Sequence, residues 1–218
     1  MSIVRHFIDE SIRKVEIDEF LQRELERAGY GGAEITNTPL GARVIIYAMK
    51  PGIVIGRRGT TIRELTQLLE DKFNLMNPQI AVSEVEVPEL HPDIMASRIA
   101  EALERGIHFR RSGFWALSRI MGAGALGAEI IISGKLRTQR HRYEKYRQGY
   151  LPTTGEAALR NVKTAVRHVK LKPGILGVKV KIVPPGVEFP DQFKIFPDNE
   201  LVDQNKKSDK IQTESEEN

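Results

Sequence analysis

Apolar residues recur at three- and four-residue steps over Ile17, Phe20, Leu21, Leu25 and Ala28, which predicts an amphipathic helix from about Ile17 to Ala28. Gly29-Tyr30-Gly31-Gly32 ends it, because glycine adopts the left-handed turn that closes a helix without steric cost. The period then shortens. Strands are predicted over Ala33 to Thr38 and Arg43 to Met49, separated by Pro39-Leu40-Gly41, the second rich in Val and Ile. Lys50-Pro51-Gly52 introduces a short helical pattern, Ile53-Val54-Ile55. A helix from Thr60 to Phe73 follows, with Ile62, Leu65, Leu69 and Phe73 on one face. Asn77-Pro78 breaks the chain before a strand from Gln79 to Val87, whose inward residues are expected to be Ile80, Val82, Val85 and Val87. The predicted order is helix, strand, strand, helix, helix, strand.

Pro88 and Pro92 mark a joint. Asp93 to Arg105 and His108 to Met121 read as two helices broken at Gly106, and the remainder is strand-like. Glu129 to Ser133 is β-rich, with Gly134 a bulge or turn. Val178, Val180 and Ile182 alternate with Lys179 and Lys181, the pattern of a half-buried strand with its cationic side in water. Asn161 to Leu171 is its expected partner, joined through Lys172-Pro173-Gly174. The chain therefore divides into an N-terminal extension (1–16), a first domain (17–87), a second domain (88–183) and an acidic tail (184–218), expected to be disordered from about Asp203.

Composition narrows the function. Hydrophobic residues make up 40% of the 218 and charged residues 28%, enough apolar material for a folded core. Cysteine is absent, which excludes a disulfide scaffold, a thiolate zinc site and a thiol nucleophile, and fits a reducing cytoplasm. The start of the chain carries no apolar stretch of a secretory signal, and no run approaches the roughly 18 apolar residues that would span a bilayer, so no membrane is expected as a partner. The net charge of +4 conceals a strong asymmetry. Residues 1–87 hold 11 Lys+Arg against 13 Asp+Glu, residues 88–183 hold 18 against 7, and residues 184–218 hold 4 against 9. A segment with an excess of 11 positive charges points to a polyanion, because clustered cations release counterions from phosphate backbones.

The motif that gives this charge a purpose is Gly56-Arg57-Arg58-Gly59, set between two helical patterns directly after Pro51-Gly52. Paired glycines let the backbone turn sharply and let a nucleic-acid backbone come close. Arg57 and Arg58 at the tip are placed to meet phosphates, and the flanking helices with the Arg43 to Met49 strand are expected to offer an apolar groove to unstacked bases. This is the design of a KH domain, whose GxxG loop clamps about four nucleotides. The helix and strand that precede the loop point to the type II arrangement.

The GRRG loop, His108-Phe109-Arg110-Arg111, the stretch from Leu126 through Ser133-Gly134-Lys135-Leu136-Arg137, and Gly174 to Ile182 together resemble the KH-containing third protein of the small ribosomal subunit. Ser-Gly-Lys-Leu-Arg combined with Ala165-Val166-Arg167-His168-Val169 is most similar to the archaeal and eukaryotic branch. The resemblance covers Ile3 to Val183. It implies an α+β fold: a type II KH domain, then two helices packed on a mainly antiparallel four-stranded sheet. It also implies a place in the head of a cytoplasmic small subunit, with ribosomal RNA, mRNA at the mRNA entry channel and neighbouring head proteins as partners. Arg110 and Arg111 would face the mRNA path, with Arg119 later on the same helix. Phe114 and Trp115 stand where the bacterial branch continues its basic patch, so no strand-separating role is carried over.

The densest basic run is Lys135, Arg137, Arg140, Arg142, Lys145 and Arg147, opposed only by Glu144 and interleaved with Tyr143, Tyr146 and Tyr150. The cations suit phosphates, and the tyrosines either stack on bases or pack in a core. Arginines at a helix start run against the macrodipole, which points to an external anion beside Arg110 and Arg111. Gly122-Ala123-Gly124-Ala125-Leu126-Gly127 spells a dinucleotide fingerprint but follows a helix and opens a strand, the reverse of the order pyrophosphate binding requires. Ser133-Gly134-Lys135 lacks the upstream glycine of a phosphate loop. The five histidines lack metal spacing, and Glu101 and Glu104 neighbour Arg98 and Arg105 as surface pairs, so no catalytic residue, metal or cofactor is expected. The aromatic stretch Phe189, Phe193, Ile195 and Phe196 either docks on a neighbour or folds back. Two alternatives remain beside a ribosomal role: a free-standing KH regulator, and a nucleic-acid lyase using Lys135 or a neighbouring lysine as an amine nucleophile, which would need burial or nearby cations to lower its pKa.

Overall fold

The computed structural model describes residues 3–38, 41–73, 75, 77–187 and 189. Its first helix, α1, spans Ile3–Glu24 and starts fourteen residues before the predicted Ile17. No glycine or proline interrupts it, and Val4, Ile8, Ile12 and Val15 continue the helical period upstream. These positions stay exposed, together with Phe7, whereas Ile17, Leu21 and Leu25 are buried. A 3-10 turn over Glu26–Ala28 closes on Gly29, at φ 71°, in the left-handed conformation.

Strands β1 (Tyr30–Thr38) and β2 (Gly41–Ala48) pair antiparallel, and after α2 (Pro51–Ile55) and α3 (Thr60–Phe73), β3 (Gln79–Glu84) joins β2 in parallel. The sheet order is β1-β2-β3, with helices and strands in the predicted sequence. Alternate residues Val44, Ile46 and Ala48 face Ile17, Leu21, Leu65 and Leu69 in a sealed core. Val87 departs from expectation. The strand stops at Glu84, Val85 is the last buried residue, and Val87 is exposed because the chain has already turned into the proline joint.

Beyond it, α4 (Pro92–Glu104) and α5 (Phe109–Gly122) cover one face of a second sheet, formed by β4 (Gly127–Gly134), β5 (Arg142–Gly149), β6 (Lys163–Leu171) and β7 (Gly174–Val183) in the order β5-β4-β7-β6. All its pairings are antiparallel. A short helix, α6 (Glu156–Asn161), occupies the β5–β6 connection, for which no element is predicted, so the predicted strand from Asn161 begins at Lys163. Ile99, Leu103, Ile120, Ile130, Ile132, Val178, Val180 and Ile182 form the second core.

The two sheets belong to one compact unit that reaches Pro185. Ile94 of α4 packs against the backbone of β1 at Gly31, where an added Cβ would lie 3.1 Å from Val85 and 3.4 Å from Ile94. Gln22 of α1 donates to Asp93 at 3.0 Å, across the same seam. Burial pushes the Asp93 carboxyl above the usual carboxylate range, against the opposing charge of Arg167 on β6. Of the aromatic stretch after the second sheet, Phe189 is buried, while Phe193, Ile195, Phe196 and the acidic tail lie outside the described residues.

Tyr30 supports the seam from inside the first sheet, its hydroxyl donating to Asp18 of α1. Burial, then the Asp18 carboxylate, push the Tyr30 phenol well above its ordinary value. The folded state therefore holds this proton more tightly than the unfolded chain. Its contribution is complete below the ordinary phenol pKa of about 10 and is lost as pH rises beyond it. Tyr30→Phe is expected to cost about 1 kcal/mol near neutral pH and to flatten the alkaline decline in stability. Thermal melts at about pH 8 and about pH 11 check this; parallel declines in the variant and the parent would contradict it.

Candidate nucleic-acid interface

The Gly56–Gly59 turn is built from backbone conformations that side chains resist. Gly56 sits at φ 73°, ψ −178°, and its N–H donates to the Gly52 carbonyl at 3.0 Å, which stops α2. A Cβ there would fall 2.2 Å from Thr61 Oγ1, so only glycine fits. Arg58, at φ 54°, and Gly59, at φ 74°, are left-handed as well. Thr60 Oγ1 donates to the Arg57 carbonyl at 3.0 Å and fixes the turn against the start of α3. Arg57 and Arg58 are both exposed. They stand at the N-terminal end of a fourteen-residue helix, where free N–H groups add to the positive field.

The apolar surface beside this loop differs from expectation. The helix-facing side of β2 is sealed, with Val44, Ile46 and Ala48 fully buried, so that side of the strand offers no groove to bases. Exposed apolar area comes instead from Ile53 and Ile55 of α2, which packs beside the half-buried edge strand β3.

In the second domain, two basic segments distant in sequence meet. His108 Nδ1 caps α5 by accepting from the Arg110 N–H at 3.3 Å. The Arg110 guanidinium reaches Glu144 on β5 through Nε at 3.2 Å and Nη2 at 3.3 Å, a two-pronged pair. That pair holds the Glu144 carboxyl below the usual carboxylate range. The anion expected outside the protein is thus partly supplied from within, by Glu144, and Arg110 is not a free cation. Tyr146 donates to the same carboxylate at 3.0 Å. Burial and Glu144 push the Tyr146 phenol up to about 12. Its ring lies edge-on to Phe114, 5.1 Å between centroids. The contact requires Gly113, where an added Cβ would lie 2.6 Å from the ring. The three tyrosines therefore separate: Tyr146 is core, while Tyr143 and Tyr150 are exposed.

Arg111 is exposed and lines a concavity between α4 and α5 with Arg98, Arg105 and Trp115. Arg119 lies over the Trp115 ring at 5.9 Å. Lys135, Arg137 and Arg140 are exposed on the connection between β4 and β5. Lys135 is exposed, so of the two ways to activate a lysine amine, burial is not in place here. Along β5 the run divides by face. Arg142 points the same way as Glu144 and Tyr146, toward α5, whereas Lys145 and Arg147 point away from the helices. Lys145 lies 2.9 Å from Glu129 Oε2, and Arg147 Nη2 donates to the Leu151 carbonyl at 2.7 Å.

Glu129, unnoticed in the sequence as a site residue, is 1% exposed and also meets Lys181 at 3.3 Å. Burial alone would raise its carboxyl, but Lys145 and Lys181 outweigh that and hold it below the usual range. Nothing local marks Glu129, because Ile131 shares its face and the two lysines come from other strands. Among the described residues no group of three or more His, Asp or Glu side chains could hold a metal ion, and no helix is long and apolar enough to cross a membrane.

Two family models match. The KH domain matches residues 16–90, and the C-terminal domain of ribosomal protein S3 matches residues 99–182. The chain is 50% identical over 190 residues to small ribosomal subunit protein uS3 of Methanothermobacter thermautotrophicus, covering 87% of this chain and 74% of that protein. The protein of the same name from Methanobrevibacter smithii is 49% identical over 195 residues, 89% and 78% of the two chains. That from Haloarcula marismortui is 46% identical over 203 residues, 93% and 67%.

Proposed function

This chain belongs to the ribosomal protein S3 family of the small ribosomal subunit, and from that premise we propose that it sits in the head of a cytoplasmic small subunit. There it binds ribosomal RNA and lines the mRNA entry channel, alongside neighbouring head proteins. Its KH loop takes single-stranded or splayed RNA on Arg57 and Arg58. The basic surface of the second domain, made by Arg110, Arg111, Arg119, Lys135, Arg137, Arg140 and Arg142, takes phosphate backbone, with Lys145 and Arg147 on the opposite side of the sheet.

The observation that carries this reading is the loop itself. Left-handed backbone at Gly56, Arg58 and Gly59 leaves two arginines exposed at the start of α3, where charge and helix dipole both attract an anion. For the channel, the support is Arg111 beside the exposed Trp115, a cation and an aromatic ring placed together as single-strand binding requires. In a sucrose gradient the tagged chain is expected to co-migrate with small subunits through a high-salt wash. Free protein at the top of the gradient would favour a KH regulator that works off the ribosome. A photo-crosslinker at position 111 is expected to label mRNA in programmed subunits; labelling of ribosomal RNA alone would remove the channel assignment while leaving the ribosomal one.

A further inference from the structure

The sheet of the second domain has two faces, and the helices account for one. Ala128, Ile130, Ile132, Val178, Val180 and Ile182 point to α4 and α5. The residues between them form rows on the other side. One row reads Arg147, Glu129, Lys181, Thr164 across β5, β4, β7 and β6, and the next reads Lys145, Ile131, Lys179, Val166. Lys170 extends the pattern on β6. Glu129 is the only carboxylate at the strand positions of this face. Lys179 and Val166 are exposed, so the face is open.

The buried carboxylate explains how such a face holds its shape. Lys145 and Lys181 approach Glu129 from the two strands that flank it, at 2.9 and 3.3 Å. The Lys145 contact is an ion pair without hydrogen-bond alignment. One carboxylate cannot neutralise two ammonium groups, and each ammonium keeps donors for another acceptor. Both lysine side chains remain partly exposed. Ordering long side chains ahead of contact removes an entropic cost from binding. Adjacent strands lie about 4.8 Å apart, which sets Lys145 and Lys179 roughly 10 Å from one another across β4.

We propose that this helix-free face is a binding surface for the phosphate backbone of double-helical RNA, with Glu129 as a positioning residue that holds Lys145 and Lys181 in place. The proposal rests on the RNA-binding reading above but assigns it a second, separate surface. Backbone, not bases, is the ligand, because stacking needs aromatic platforms and the two rows around Glu129 and Ile131 hold none; the rings of this face, Tyr143 and His168, lie one row further on. Duplex RNA is recognised through shape and phosphates, which a broad cationic sheet can meet.

The full-length chain, titrated with a blunt RNA duplex and with an unstructured single-stranded oligonucleotide at several salt concentrations, tests this. Lys179→Glu, at an exposed position, is expected to weaken duplex binding at least about tenfold near 0.1 M salt and to lower the salt slope by about one, with single-strand binding retained. Unchanged duplex affinity would overturn the surface. Glu129→Gln removes the one negative charge from the face, so a simple charge patch would bind more tightly. Loss of positioning predicts weaker binding by several-fold; equal or tighter binding by the folded variant would overturn the role of Glu129. If that variant does not fold, Lys179→Glu decides the surface, and Glu129→Asp, which keeps the charge and withdraws it from the lysines, decides the positioning on the same criterion. A chain with both loop arginines replaced separates the two readings. It is expected to keep duplex binding, whereas loss of all binding in that chain with none in Lys179→Glu would leave the loop as the RNA site and remove this face.

Discussion

Replacing Arg57 and Arg58 together by aspartate is expected to weaken binding of single-stranded RNA by at least about 100-fold near 0.1 M salt, with the fold intact. Two lost phosphate contacts account for roughly 25-fold through counterion release, and reversing both charges adds repulsion to the remainder. The fold should survive because both side chains are exposed. The left-handed backbone of Arg58 is also one that aspartate tolerates better than most residues. Gly56→Ala makes an instructive contrast. It leaves the arginines in place but forces a Cβ to 2.2 Å from Thr61 Oγ1 at a conformation reserved for glycine. That variant should lose stability as well as affinity, whereas the arginine variant should lose affinity alone. Filter binding at two salt concentrations, with circular dichroism, separates the cases. Undiminished affinity in the arginine variant would dispose of the loop's role.

What could be read in the sequence follows from how locally each element is determined. The helix Thr60–Phe73 lies where its stripe of Ile62, Leu65, Leu69 and Phe73 puts it, and the turn before it needs glycines that the chain displays. The strand β7 shows plain alternation. By contrast β5 has one buried residue, Tyr146, so it carries no alternation to detect and reads as a basic run. The upstream half of α1 has the helical period, but Val4, Ile8, Ile12 and Val15 stay exposed, so the buried stripe that marks a helix begins only at Ile17. Site chemistry suffered most where it depends on distant pairing. Arg110 and Glu144 are 34 residues apart, and nothing local says that one satisfies the other. Glu129 looked like a polar interruption in an apolar strand until the register set lysines on both sides of it.

These pairings also determine how the basic surface is held. Arg110, Glu144 and Tyr146 tie the start of α5 to the edge strand β5, and Gly113 is the residue that lets the ring approach the helix. Tyr146→Ala is therefore expected to cost about 3–5 kcal/mol, from the cavity and the lost aromatic contact with Phe114. In a chain of this size that lowers the melting temperature by roughly 10 °C. The sharper test is a double-mutant cycle. In the parent, Gly113→Ala places a methyl 2.6 Å from the ring and is expected to destabilise by about 1–3 kcal/mol, despite alanine's better helix propensity. In the Tyr146→Ala background the obstacle is gone, and the same substitution should become neutral or stabilising by up to about 1 kcal/mol. The sign reversal corresponds to a coupling of at least about 1 kcal/mol, measurable by chemical denaturation. Equal cost in both backgrounds would mean that Gly113 is fixed by something other than Tyr146, and that the strand is held to the helix by the Arg110–Glu144 pair instead.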